Sequence, residues 1–351
     1  MFDHFYVCPR TAVPLIDNGD ATLRNAAGDC VYPVRAGVPQ FHRCPEAEDD
    51  EGKKKLARLN ALARIDGWEA ALRTCCADEP GFLSYVLQSD RAAFIDLLGI
   101  TPQTDVLEIG PGLGQFTPLL ARRARTVSAL EVVSGQAEFV AQRCAQQGLA
   151  NVRVAAGGDD CRLPYEDESV DLVVLNLVLE WCASRCPEEP DVDLQRRLLG
   201  EIARVLRSGG KVYVATKNRY ALKYLIGRAD EHSYYMRFGN ALPRRLWRWL
   251  LRRRGHHRPG GVLHSHRALR RMMEGAGFDD LKSFWATPEM RFPRDYVPTD
   301  ARAVRAARRR SDFEQGDTRS ARLLMPCVPA RWVKYVAPGL AFLGIKRDTV
   351  R

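Results

Sequence analysis

Between residues 105 and 215, short continuous apolar runs alternate with stretches whose apolar positions recur every three or four residues. The runs 105–109, 126–131, 152–156, 170–175 and 211–215 predict strands buried on both faces, and 115–123, 134–147 and 196–206 predict the helices between them. That alternation predicts an α/β fold, a mostly parallel sheet covered by helices. Upstream the pattern is different. Short strand-like pieces at 5–7, 21–24 and 30–34, split by turn signals such as Asp17-Asn-Gly-Asp20, predict a small β-rich domain over 1–45. The charged stretch 46–55 reads as a linker, and helical periodicity at Leu56, Leu59 and Leu62 makes 46–100 a linker plus helices. Residues 101–216 form the core of the alternation, and 217–351 are left as a cap with closing strands. In that last part 268–277 predicts a helix, 281–285 a strand and 340–346 an antiparallel closing strand.

Composition adds exclusions. A chain of 351 residues, 46% hydrophobic and 27% charged, is that of an ordinary globular protein. It has no apolar run of about 18 residues or more, so no spanning helix is expected. The start lacks the basic-then-apolar layout of a secretory signal, and the ten cysteines form no disulfide framework. Reduced thiols and a cytoplasmic location are the expectation. The net charge of +10 is concentrated at 243–258 and 302–310. Such clusters suit nucleic acid, phosphorylated substrates or peripheral contact with an anionic surface, and equally a solvated face. Trp247 and Trp249, among the arginines of the first cluster, either anchor to such a surface or pack on the core.

The chemistry centres on Val106-Leu-Glu-Ile-Gly-Pro-Gly-Leu-Gly-Gln-Phe116, at the end of the first core strand. Gly110, Gly112 and Gly114 allow a sharp turn and close approach of a ligand, and Glu108 stands two residues before the first glycine. The spacing Gly-x-Gly-x-Gly departs from the dinucleotide fingerprint Gly-x-Gly-x-x-Gly. It resembles the first motif of class I S-adenosylmethionine-dependent methyltransferases, a resemblance that covers roughly residues 90–216. The resemblance implies a Rossmann-like sheet and S-adenosylmethionine as cofactor. It places Glu108 near the methionine amino group, with Gly110, Pro111, Gly112 and Gly114 facing the methionine and ribose. Glu131, which ends the second strand, would accept the ribose hydroxyls; Asp159 or Asp160 would meet the adenine amino group. The backbone at Asn176 and Leu177 would complete the contact. One departure stands at Trp181, where relatives often carry histidine.

The acceptor is less constrained. The Asn-Leu-Val-Leu run after Asn176 lacks the Asn/Asp-Pro-Pro-aromatic signature of amino-methylases of adenine and cytosine, and Cys186-Pro187 matches cytosine carbon-5 enzymes by composition alone. Residues 5–16 and 31–41 resemble a zinc-ribbon-like domain that occurs as an activator of methyltransferases and fused to some of them. Only Cys8 of its ligand pattern is kept and Thr11 stands in a ligand position, so no metal is expected; Cys8, Cys30, His42 and Cys44 are an improvised alternative. Residues 218–233, 264–278, 285–293, 335–338 and 340–346 resemble bacterial methyltransferases associated with cell-surface sugars and secondary metabolites. That resemblance implies biosynthetic methylation of a hydroxyl on a sugar-containing or other small polyhydroxy acceptor. His232 is the candidate base, or else a surface or capping residue. Asn218, Arg219, Tyr220, Lys223 and His264 are candidate substrate contacts, with Arg219 and Lys223 either clamping a phosphate or forming one solvated helix stripe. The alternatives are methylation of an rRNA or tRNA base, and an inactive cofactor-binding regulatory protein.

Overall fold

The computed structural model describes residues 6–43, 50–184, 190–256 and 260–348. Its strands are β1 (Ile16–Asp17), β2 (Thr22–Arg24), β3 (Val31–Arg35), β4 (Val38–Pro39), β5 (Asp105–Ile109), β6 (Thr126–Glu131), β7 (Val152–Ala156), β8 (Val170–Asn176), β9 (Leu206–Lys217), β10 (Phe278–Thr287), β11 (Asp295–Pro298) and β12 (Gly339–Lys346). The chain divides into two compact units. The first holds residues up to Val174, Gly200–Lys211 and Lys346 onward; the second holds Leu175–Leu199 and Val212–Ile345. The expected domain at 1–45 is therefore part of the first unit and does not stand alone.

In the first unit the strand order is β8–β5–β6–β7. β5 and β6 pair in parallel from Asp105 opposite Thr126 to Ile109 opposite Leu130, and β6 and β7 from Val127 opposite Val152 to Glu131 opposite Ala156. The helix Ser134–Gln146 lies over β6 and β7. One face sends Ala137, Val140 and Cys144 onto Ala129 and Val154. Phe139 points the other way, into a cluster with Leu59, Leu72 and Leu113. The charged stretch expected as a linker becomes helix from Asp50: the helix Asp50–Asp66 has acids in its first turn and Arg64 in its last, matching the helix dipole. Residues 44–49 lie outside the described part. Residues 208–210, between the expected helix and the expected strand at 211–215, lie within β9.

The small sheet is an antiparallel meander in the order β1–β2–β3–β4. Ala36 and Gly37, both left-handed at φ 48° and 78°, make the two-residue turn between β3 and β4. The segment after β4 then joins the larger sheet's edge. Gln40 bridges Ala156 in parallel, and the Phe41 N–H donates to the Ala156 carbonyl at 2.6 Å. Gly157 has φ 148°, and a Cβ there would stand 2.8 Å from that of Phe41, so only glycine fits.

In the second unit the order is β11–β10–β12–β9. β10 and β11 form an antiparallel hairpin, from Phe284 opposite Pro298 to Thr287 opposite Asp295. Trp285, Tyr213, Phe278 and Phe342 are fully buried. The strand expected at 340–346 is β12. Residues 218–233 hold no long helix, only Leu222–Leu225 and a 3-10 turn at Glu231–Ser233. His264 and His266 are not on one strand, because Ser265 caps the helix His266–Gly275 that follows. Of the tryptophans in the basic helix Arg244–Arg253, Trp247 is buried and Trp249 exposed. No helix of the described residues is long and apolar enough to cross a membrane.

The first unit's sheet is pinned at its strand starts by charge. The buried Asp105 carboxylate accepts from Arg125 Nε at 2.8 Å, from Arg125 Nη2, from the Thr126 hydroxyl at 2.8 Å and from Arg207 Nη1 at 3.1 Å. Arg207 also donates to Asp171 at 2.7 Å, and Asp171 accepts the Asp105 N–H at 2.8 Å. Burial pushes the Asp105 pKa up, but these donors outweigh it and hold the group below its ordinary range. A depressed folded pKa stabilises above the unfolded value, and that stabilisation is lost as pH falls through the folded one. Asp105→Asn is therefore expected to cost about 2 kcal/mol near neutral pH, with the gap from the native protein closing in acid; urea unfolding at a series of pH values checks this.

Candidate active site

β5 delivers the chain into Gly110-Pro-Gly-Leu-Gly114, where the glycines have φ 70°, 59° and 74°. At Gly112 an added Cβ would also come within 3.1 Å of the Gln115 side chain. Its N–H donates to Glu131 Oε2 at 2.9 Å, so the end of β6 holds the loop, and Glu131 Oε1 accepts from the Val133 N–H at 3.1 Å. From the helix side Arg143 donates to the Leu113 carbonyl at 2.8 Å while its guanidinium lies 4.1 Å from the Trp68 ring centre. Burial pushes the Arg143 pKa down to about 10. Glu108 is buried beneath the loop and accepts from the Thr117 hydroxyl at 2.6 Å. Burial, with the nearby charge of Glu131, raises its pKa to about 7 against the pull of Thr117 and Arg143. A glycine turn stripped of side chains, a buried carboxyl short of a cation and a second carboxylate at the next strand end are together a fit for S-adenosylmethionine. The sequence brought forward Glu108, Gly110, Pro111, Gly112, Gly114 and Glu131, and the structure brings them together.

Asp159 and Asp160 sit in the loop after β7, both buried. Both Asp159 oxygens lie within hydrogen-bond distance of the Arg43 N–H, at 3.1 and 3.2 Å. Asp160 accepts from the Arg162 N–H at 3.1 Å, and burial raises its pKa. Nothing in the sequence signals that a residue 116 positions upstream meets Asp159. Of the improvised zinc set, His42 Nε2 is bonded to the Val132 carbonyl at 2.7 Å, and Cys44 lies outside the described residues, as do Cys186 and Pro187. Thr11 Oγ1 lies 3.9 Å from Cys30 Sγ, and the Tyr32 hydroxyl 3.1 Å from Cys8 Sγ.

In the second unit β8 ends at Asn176, whose Oδ1 is buried without a partner, and Leu177 turns left-handed at φ 61° with its N–H donating to the Ala215 carbonyl. Asn218 and His264 form a parallel bridge, and the Asn218 side chain accepts the Tyr220 N–H at 3.1 Å. Arg219 donates to the carbonyls of Asn240 and Leu242, at 3.0 and 2.6 Å. Lys223 pairs with Asp317 at 3.2 Å and Glu289 at 3.6 Å. These two cations therefore form neither one clamp nor a solvated stripe.

His232 is fully buried and belongs to a network that centres on Asp230. The Asp230 carboxylate accepts from His232 Nδ1 at 2.7 Å, the Tyr224 hydroxyl at 2.6 Å, Asn240 at 3.2 Å and Lys217 at 3.3 Å. Burial opposes ionisation, but His232, Lys217 and Tyr224 hold its pKa far below the carboxylate range. An ionised Asp230 makes Nδ1 the donor, which leaves Nε2 as the lone-pair nitrogen of the neutral ring. That Nε2 is buried with no hydrogen-bond partner among the described residues. The Trp181 ring covers the imidazole at 4.3 Å, and a Cβ on Gly261 would strike it at 2.4 Å. Glu180, also buried, has its pKa raised by burial. Asp230, Tyr224 and Lys217 were not singled out from the sequence; the only signal was an aspartate two residues before the histidine.

Comparison with known proteins locates the domain. Residues 107–214 match the family described as Methyltransferase domain. The biotin biosynthesis bifunctional protein BioHC of Cellvibrio japonicus is 38% identical over 130 residues, 36% of this chain and 23% of that protein. The malonyl-[acyl-carrier protein] O-methyltransferase of Methylococcus capsulatus is 34% identical over 33% of this chain and 38% of its own length. Phosphoethanolamine N-methyltransferase 1 of Caenorhabditis elegans is 33% identical over 36% of this chain and 24% of its own length. The chain thus spans well under half of these relatives. A solved methyltransferase of Thermotoga maritima, described as SAM-dependent, is similar at 17% identity and a TM-score of 0.46, covering 80% of this chain and 100% of that one.

Glu108 sets a pH dependence of stability. Because its folded pKa lies near 7, above the ordinary value of 4.5, the native state holds the extra proton between those values and stability falls as pH rises through them. Without cofactor, Glu108→Gln is expected to match the native protein near pH 4 and exceed it by about 2 kcal/mol above pH 7. Chemical denaturation across that range measures the difference.

Proposed function

We propose, from a chain whose residues 107–214 are a class I S-adenosylmethionine-dependent methyltransferase domain, that the protein transfers the donor's methyl group to a hydroxyl of a sugar-containing or other small polyhydroxy acceptor. Glu108 then receives the methionine ammonium, Glu131 the ribose hydroxyls, and the glycine turn the methionine and ribose portion of the donor. Asp159 or Asp160 takes the adenine amino group.

The observation that carries the hydroxyl reading is the 2.7 Å bond from His232 Nδ1 to Asp230. A sulfonium methyl is already activated, so the protein has to supply in-line positioning and, for a hydroxyl, a base. An imidazole locked in one tautomer, its other nitrogen without a partner, is that base. Trp181 covers it and is 37% exposed. The chemistry then runs in one step: the acceptor oxygen attacks the methyl carbon, the carbon–sulfur bond breaks, and His232 Nε2 takes the hydroxyl proton.

Glu131→Ala is expected to weaken S-adenosylmethionine binding 10- to 100-fold, about 1–3 kcal/mol; calorimetry showing unchanged affinity would remove Glu131 from the ribose. His232→Gln is expected to lower kcat by roughly 10²- to 10⁴-fold and flatten its pH profile while leaving donor affinity intact. A turnover rate that survives this change at every pH ends the assignment. The overall reading is tested by transfer of labelled methyl to a panel of polyhydroxy acceptors and RNA, and labelling of RNA alone would sink it.

A further inference from the structure

The second unit contains a cavity of about 480 Å³ lined by Val192, Arg196, Arg244, His264, Arg271 and Met272, among others. No carboxylate stands among its described lining residues. The hydrogen bonds behind it fix one guanidinium with care. Gln195 is fully buried, and its Nε2 donates to the carbonyls of Leu179 at 2.8 Å and Val262 at 3.0 Å. Its Oε1 must therefore face the other way, where it accepts from His264 Nε2 at 2.6 Å. With the proton on Nε2, His264 Nδ1 is an acceptor, and Arg244 Nη2 donates to it at 3.4 Å and to the Leu263 carbonyl at 3.1 Å. A buried amide thus sets the tautomer of a buried imidazole, and the imidazole orients an arginine on the cavity wall. The bonds use one nitrogen of Arg244, and the other N–H groups of its fork remain for a ligand.

Cations crowd this arginine. Burial, with repulsion from Arg219 and Arg248, outweighs the pull of Asp191 and pushes its pKa down to about 10. Burial and the charges of Arg244, Arg219 and Arg196 force His264 down to about 3, so its acceptor nitrogen persists at every working pH. Asp191 lies 3.7 Å from Arg248, and Asp193 lies 3.3 Å from Arg196. Arg244 opens a ten-residue helix with no acid in its first turn, and residues 234–273 hold eleven arginines and no aspartate or glutamate. Partly buried like charges at the positive end of a helix are costly unless an anion joins them.

We infer that this cavity binds a phosphoryl group, anchored by Arg244 with Arg196 and Arg271 on its walls, and that the acceptor of the methyl group is a phosphate-bearing molecule. The planar fork of Arg244 suits two oxygens of a phosphate, and the width of the cavity leaves room for the group that carries it. His264 and Gln195 are positioning residues. The second clause rests on the methyltransferase reading; the site itself does not.

The test is calorimetry on the full chain with three probes: inorganic pyrophosphate, uridine diphosphate, and vesicles containing phosphatidic acid. Saturable pyrophosphate binding is expected, weakened at least tenfold by Arg244→Gln and several-fold by Arg271→Gln, an exposed position that keeps the test valid if the first variant folds poorly. Tighter Arg244-dependent binding of the nucleotide marks a nucleotide-linked acceptor, and Arg244-dependent vesicle capture a lipid-linked one; both support the site. His264→Gln is expected to weaken pyrophosphate binding while donor affinity stays unchanged. Absence of saturable binding to any probe, or equal binding by the native chain and both arginine variants, overturns the inference. S-adenosylmethionine affinity in the same variants separates the two readings: a chain that binds pyrophosphate through Arg244 but shows no donor binding keeps the site and loses the methyltransferase assignment.

Discussion

Four chain segments meet around Asp105, and the geometry of the donor site follows from that meeting. Asp105 opens β5, Thr126 opens β6, Asp171 lies at the start of β8 and Arg207 at the start of β9. Parallel strands locked at their starts have fixed ends, and a slip of one residue would turn every side chain to the opposite face. With Ile109 opposite Leu130, β6 reaches one residue beyond β5, and that extra residue is Glu131. Its carboxylate is thereby carried to the N–H of Gly112. Taking these ions out of water is costly, and the return is a register that apolar strands do not specify by themselves.

The cofactor half of the molecule was legible because its signals are local. A short strand pattern, Asp105–Ile109, before three spaced glycines, with acids at 108 and 131, states strand, turn and strand within about 25 residues. The flanking helices were legible in kind but not in extent: the helix expected at 115–123 is only Thr117–Ala121, because the glycine turn runs further into it. What could not be read was contact at long separation, such as Arg43 with Asp159 or the Asp105 cluster itself. A charge in a sequence carries no mark of whether it meets water or another charge.

That ambiguity misled most at 218–233. Its dense charge reads as a solvated face, yet Asp230 is 4% exposed and His232 0%. Once one buried carboxylate gathers a lysine, a phenol, an amide and an imidazole, helical spacing is no longer what the segment optimises. The chain breaks into short turns that aim each donor inward, and Tyr234, Tyr235 and Phe238 all take left-handed φ of 49° to 60° to complete them. The arginine-rich helix shows the converse. Arg244 differs from its neighbours only by what lies beside it, and nothing in the run of arginines distinguishes it.

The pairing of Phe41 with β7 has a consequence for how the chain is made. The sheet edge formed by β7 is closed by a strand-like segment that leaves the ribosome more than a hundred residues earlier, as the separation of 116 between Arg43 and Asp159 shows. The capping piece therefore waits, unpartnered, while the sheet it belongs to is still being synthesised. Contacts of such long separation form late. Until this one forms, β7 offers its open hydrogen-bonding edge to any extended segment nearby, including the same segment of a neighbouring nascent chain. Crowded synthesis is then where exchange of this piece between copies competes with correct closure, and the narrow fit at Gly157 is what makes its own chain's Phe41 the better partner.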